Sequence, residues 1–157
     1  MPMCKNTFIC VVQLNFPTYN FNIKRQENVN YIFDIIRKKW VLLTAEEWVR
    51  QHALHYLLYT KNYPASLVAV EREFSVNGLK KRFDILIFNR NHKPQLIVEC
   101  KRPDVTLDEG VMKQISVYNS TFQATCLWIT NGIQHMFVQY AHDFSSYNSL
   151  TELPDPL

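Results

Sequence analysis

The stretch 82–101, RFDILIFNRNHKPQLIVECK, decides how this chain folds. Two apolar runs flank a polar turn at 89–94, and each run carries charge where burial ordinarily excludes it. Asp84 interrupts the first run; Glu99 and Lys101 end the second. Alternation along a strand sends Leu96, Val98 and Cys100 one way and Ile97, Glu99 and Lys101 the other. Glu99 and Lys101 are therefore neighbours on one face, and Cys100 is a small core residue on the opposite face. A simple hairpin of this loop length sets Asp84 beside Glu99.

Two adjacent carboxylates repel and do not both stay ionised in an apolar sheet without a counter-charge. A hard dication supplies one, and Mg²⁺ takes one or two carboxylates together with water and phosphate oxygens. Lys101 is then suited to orient or deprotonate an activated water, or to stabilise charge developing on a phosphorane. The plainer alternative pairs Asp84 and Glu99 with Arg82, Lys101 or Arg102 at the strand ends. An E-x-K triplet is a weak signal alone. Here it occurs once, closing the most hydrophobic run of the chain, with Asp84 on the adjoining run.

Outward from this hairpin, further strands are expected at 67–74, 125–130 and 135–140, and the runs above give strands at 82–88 and 95–101. Turns fall at Gly78 and at Asn131 and Gly132. A helix is expected over 107–119, with Val111, Ile115, Tyr118 and then Phe122 on one side. Thr44 with Glu47 forms a capping box ahead of WVRQHALHYLLYTK, the clearest helix of the chain. Residues 30–40, NYIFDIIRKKW, also carry helical spacing, with Arg37, Lys38 and Lys39 placed as the basic end of that helix. An edge strand is expected in TYNFNIKRQ, where Tyr19, Phe21 and Ile23 alternate. The order helix, three strands, helix, strand, strand is α/β with a mixed sheet, and the helix between the third and fourth strands implies a parallel crossover.

At 157 residues the chain suits one domain: an arm at 1–30, a core at 31–140 and an extended tail at 141–157. A hydrophobic fraction of 47% with only three glycines argues against disorder. The net charge of +3 permits a polyanionic partner without the strong basic excess of many nucleic-acid domains. Cys4, Cys10, Cys100 and Cys126 show no zinc spacing, so free thiols in a reducing cytoplasm are expected. The apolar patch FICVV at 8–12 is too short to span a membrane, and no membrane association is expected. His52, His55, His92, His135 and His142 form no convincing ligand pattern.

These segments together resemble the PD-(D/E)XK nuclease superfamily. More closely, they resemble the N-terminal nuclease domain of type I restriction enzyme R subunits, in its small stand-alone bacterial form. The resemblance spans roughly residues 31–140 and rests on TAEEWVRQHALHYL, VEREFSVNGLKKRFDILIF, PQLIVECKRP and QISVYN followed by WITNG. It implies a restriction-endonuclease-like core, a central mixed β-sheet flanked by helices. It also implies hydrolysis of DNA phosphodiester bonds with Mg²⁺, for which Mn²⁺ can substitute.

Carried over by position, Asp84 and Glu99 are the implied metal ligands, and Lys101 completes the E-x-K. Gln114 and Tyr118 match a Q-x-x-x-Y motif on the crossover helix, with Gln114 an auxiliary catalytic residue and Tyr118 near DNA or simply packed beside Ile115. Glu47 is the implied first-helix metal ligand unless the helix cap claims it; Glu46 is the fallback and Glu71 a weaker candidate. Lys80, Lys81, Arg82 and Arg102 are the remaining candidates for DNA contact, of the kind that positions a duplex without reading its sequence. A solvated hairpin turn would account for Lys80 and Lys81 equally. The resemblance implies DNA as partner and allows a homodimer or a larger restriction-type complex. No GxxxxGK[ST] motif occurs, so the chain has no translocase site of its own. A non-catalytic nucleic-acid-binding or assembly module on a nuclease fold is the alternative.

Overall fold

The chain is described here in a computed structural model covering residues 12–76 and 78–156. Cys4, Cys10 and most of the FICVV patch lie outside the described residues. The element order is β1 (Ile23–Gln26), β2 (Val29–Asp34), β3 (Lys39–Leu42), α1 (Ala45–His55), β4 (Val68–Val76), β5 (Leu79–Phe88), β6 (Pro94–Cys100), α2 (Glu109–Phe122), β7 (Cys126–Thr130), β8 (His135–Tyr140) and β9 (Tyr147–Leu150). A π-helical turn, Tyr56–Thr60, extends α1.

β4 to β9 form one six-stranded sheet in sequence order. Every pairing is antiparallel except β6 with β7, which run parallel across the α2 crossover. This is the α/β core with a mixed central sheet that the sequence implies. β6 is covered on both faces, which is why LIV reads as an unbroken apolar run. On one side, Val49, Ala53, Leu54 and Leu57 of the α1 segment pack with Ile85, Ile87, Leu96, Val98, Cys100 and Trp128. On the other, Met112 and Ile115 of α2 pack with Phe83, Leu86, Ile97, Leu127 and Ile129.

Residues 30–40 depart from the helix expected there. They form the β2–β3 hairpin, and β1 pairs with β2 to complete a separate three-stranded antiparallel meander. Short apolar runs satisfy both periods, and here period two prevails because the residues are β-branched and aromatic. Glu27 and Asn28 both take positive φ (49° and 62°), the geometry of a two-residue hairpin turn whose twist suits its flanking strands. Asp34 then accepts the backbone N–H groups of Ile36 and Arg37, and Lys38 at φ 55° turns the chain back. Arg37, Lys38 and Lys39 thus sit at a hairpin turn rather than a helix end.

The tail holds one strand, β9, beyond the extended segment expected. The arm docks on the domain: the N–H of Asn15 donates to the Gly132 carbonyl at 2.6 Å. Gly132 suits the turn there, since its φ is +86°, a conformation that strains residues with a Cβ.

Candidate active site

β5 and β6 pair through Ile87↔Leu96, Leu86↔Ile97 and Ile85↔Val98, and there the ladder ends. Beyond this last pair come Asp84 on β5 and Glu99 on β6, near enough for the Glu99 charge to act on the Asp84 carboxyl. Asp84 Oδ2 accepts the N–H of Cys100 at 2.6 Å. Asp84 Oδ1 takes no hydrogen bond from the described residues. On the other flank, Glu71 lies between the pairs Val70↔Ile85 and Arg72↔Phe83, opposite Asp84, with φ at 52°. A non-glycine residue in the left-handed region inside a strand is a strained position of the kind that gathers at functional sites. Glu71, Asp84 and Glu99 thus form a row of carboxylates across three adjacent strands.

The electrostatics follow from that row. Burial first, and then the charge of Glu99, push the Asp84 carboxyl up to about 7; the Cys100 N–H pulls the other way, while Glu71 and Glu46 add to the rise. Lys101 Nζ donates to Glu99 Oε1 at 3.1 Å, and Lys81 Nζ lies 3.9 Å from the same oxygen. Burial opposes the charge on Lys101, but Glu99, Asp84 and Glu46 outweigh it and hold the ammonium above its usual range. Glu46, in the first turn of α1, has its carboxyl raised by burial, partly offset by Lys101 and reinforced by Glu99 and Glu71. Cys100 is buried on the α1 side, its thiol raised well above the usual range by burial, so it is no nucleophile.

The first turn of α1 sorts its two glutamates. Thr44 Oγ1 accepts the Glu47 N–H at 3.0 Å, the expected cap. The Glu47 carboxylate does not close the box; it takes Arg50 Nε at 3.0 Å, Arg50 Nη2, and Gln51 Nε2 at 2.9 Å. Arg50, 1% exposed, also reaches Asp34 at 2.9 Å and lies 3.8 Å from Glu71. Asp34 is fully buried and further bonded to Arg37 at 2.8 Å, so burial raises its carboxyl less than the surrounding donors and Arg50 lower it. Glu47 is thus committed to a buried ion network that fastens the meander to α1. Glu46 is the first-helix carboxylate that senses Glu99 and Lys101.

The remaining candidates divide. Tyr118 is half-buried on α2 with the Lys81 ammonium 4.4 Å from its ring centroid, so Lys81 links α2 to Glu99. Gln114, one turn earlier, is exposed on α2. Arg82 pairs with Glu71 at 2.8 Å, Lys80 with Glu73 at 3.3 Å, and Arg102 with Asp104 at 3.0 Å, all three with exposed side chains. Sequence reasoning missed Asp34 as a partner of Arg50. The signal within reach was Glu47 with Arg50 and Gln51 at helical spacings of three and four. His52 and His55 are buried against Phe21, 4.6 and 4.4 Å between ring centroids, away from any ligand role.

Two carboxylates with an unclaimed oxygen, flanked by further acids, fit a hard cation, and Asp84 and Glu99 are the residues that would hold it. No three His, Cys, Asp or Glu side chains among the described residues converge as a complete cage.

A family model described as the type I restriction enzyme R protein N terminus matches residues 45–154. Among solved structures, the chain is similar to a fragment assigned to an HsdR subunit of a type I restriction enzyme from Vibrio vulnificus YJ016. Identity is 22% and the TM-score 0.42, over 57% of this chain and 19% of that one, so the chain spans about a fifth of that length. No curated protein matches the chain.

Proposed function

This chain belongs to the type I restriction enzyme R protein N terminus family, and we propose that it hydrolyses DNA phosphodiester bonds with a divalent metal, Mg²⁺ or Mn²⁺. The observation that carries this reading is the Asp84 carboxylate held on the N–H of Cys100, the residue after Glu99, with Lys101 bonded to Glu99. A metal bound there would neutralise phosphate charge and acidify a water. Asp84 and Glu99 would hold it, with Glu46 better placed than Glu47 to assist. Lys101, held protonated by its acidic neighbours, stabilises the charge that develops on phosphorus rather than acting as base. Gln114 projects from α2 as the auxiliary contact to the attacking water or a phosphate. Lys81, Arg82 and Tyr118 adjoin the carboxylate row and receive the DNA backbone, with Lys80 and Arg102 at its edges.

The whole R subunit's partners imply a larger restriction-type complex, or a homodimer that cuts both strands. The buried, unpaired thiols of Cys100 and Cys126 suit a cytoplasmic setting, and among the described residues no helix is long and apolar enough to cross a membrane. The deciding experiment is cleavage of supercoiled and linear DNA with Mg²⁺ or Mn²⁺. Nicking by the wild type that is lost in both Asp84→Ala and Lys101→Ala establishes the site.

One observation favours the second reading, a non-catalytic nucleic-acid-binding or assembly module: Lys101 and Lys81 already gather at Glu99, neutralising charge without a metal. DNA binding without cleavage, unchanged in both variants and with no Mg²⁺ heat of binding, would establish that module instead.

A further inference from the structure

We propose that the outer face of the β1–β3 meander is a stacking platform for single-stranded nucleic acid. The meander precedes the residues matched by the family model. Its register places Lys24, Tyr31 and Leu42 in one row and Phe33 and Trp40 in the next, all on one face. The opposite face carries Ile32 and Asp34, both fully buried, so the aromatic face points away from the domain. Trp40 is 39% exposed and Leu42 52%. Phe33 and Trp40 hold each other edge to face, 5.4 Å between centroids. The Lys24 ammonium lies 4.6 Å from the Trp40 ring centroid and 5.9 Å from that of Tyr31.

Charge selects the occupant. Residues 23–42 contain Lys24, Arg25, Arg37, Lys38 and Lys39 against Glu27 and Asp34, and Asp34 is consumed by Arg37 and Arg50. Among the described residues, Lys24, Lys38 and Lys39 have no carboxylate within ion-pair distance. Lys24 among the aromatic rings, with Lys38 in the turn at the edge of that face, suits a strand with unstacked bases and a phosphate for each of them. A duplex keeps its bases stacked on one another and gives Trp40 nothing to cover. A second copy of this face would bring like charges together. A base stacking on Trp40 displaces Lys24 towards the adjoining phosphate. β3 ends at Leu42 and Glu46 lies four residues on, no more than about 14 Å of chain. A role for the platform in delivering a strand to the carboxylate site rests on the proposed nuclease reading; the binding itself does not.

The test uses the full chain in EDTA, with fluorescent oligo(dT) and oligo(rU) of about 16 nucleotides and a hairpin duplex, followed by anisotropy. The two oligomers separate DNA from RNA as the source of the strand. Trp40→Ala should weaken single-strand binding about tenfold or more, Trp40→Phe should keep most of it, and duplex binding should change little. Quenching of intrinsic fluorescence by the oligomer should shrink in Trp40→Phe, a readout independent of affinity. Unchanged single-strand affinity in Trp40→Ala, an equal loss on the duplex, or a self-associated chain that Trp40→Glu dissociates would each overturn the platform. Binding is read in EDTA and cleavage with Mg²⁺, so absence of cleavage and absence of the platform are separate results.

Discussion

Asp84 is costly where it stands. A carboxylate largely removed from water, beside Glu99 and opposite Glu71, is held by one backbone N–H. Asp84→Asn keeps an acceptor for Cys100 and removes the repulsion, so the metal-free protein should gain on the order of 2 kcal/mol at neutral pH. Urea unfolding in EDTA measures it; a loss of stability would mean that Glu99 and the lysines already balance the charge. The converse holds with metal: Mg²⁺ at a hundredfold over its Kd should stabilise wild type by about 2.7 kcal/mol and leave Asp84→Asn unmoved, read as a shift in melting temperature. The sequence made Asp84, Glu99 and Lys101 legible because charge inside an apolar strand is conspicuous. It left Glu46 and Glu47 undivided, because adjacent helical residues point about 100° apart and only the partners, Arg50 for one and Glu99 with Lys101 for the other, show which faces the site.

α1 carries two devices at the scale of an element. Its N-terminal turn is tied to β2 through Arg50, which serves Asp34 and Glu47 with one guanidinium. Arg50→Ala strands two acids, one of them fully buried, and should cost about 3–5 kcal/mol. Arg50→Lys should recover little, because an ammonium cannot reproduce the fork; chemical denaturation of both variants decides it. Further along, His52 and His55 stand among aromatic rings. Burial lowers His52 to about 4 and also depresses His55. The unfolded chain binds these protons near 6.5 and the folded one does not, so stability is full above about 6.5 and falls as pH drops towards 4, by about 3 kcal/mol at most for His52. Because Asp84 titrates in the same window with the opposite sign, the denaturation series belongs in an Asp84→Asn background, where His52→Gln should flatten the curve. The capped start of α1 was plain from Thr44 onward. The meander was not: NYIFDIIRKKW fits two periods, and the hairpin at Glu27 and Asn28 that settles the matter uses positive φ at residues other than glycine.

For the molecule as a whole, an α/β sheet covered by α1 on one face and α2 on the other brings chemistry to the end of β6, past the last β5–β6 pair. What the sequence by itself determined was the set of local features: the alternation that made β5, β6, β7 and β8, the apolar run that had to be buried on both faces, and the acids that could not be buried unattended. Those follow from interactions between near neighbours, which a linear pattern records. The tertiary structure alone decided that the β5–β6 ladder stops at Ile85↔Val98, so that Asp84 turns to the Cys100 amide, and that Glu71 completes the carboxylate row from a third strand. It also decided that Asp34 meets Arg50 sixteen positions away, and that Lys81, read as equally at home in a solvated turn, rests on Tyr118 beside Glu99. Each of these depends on where sheet twist and helix packing bring distant segments together, and that geometry leaves no periodic trace in the chain.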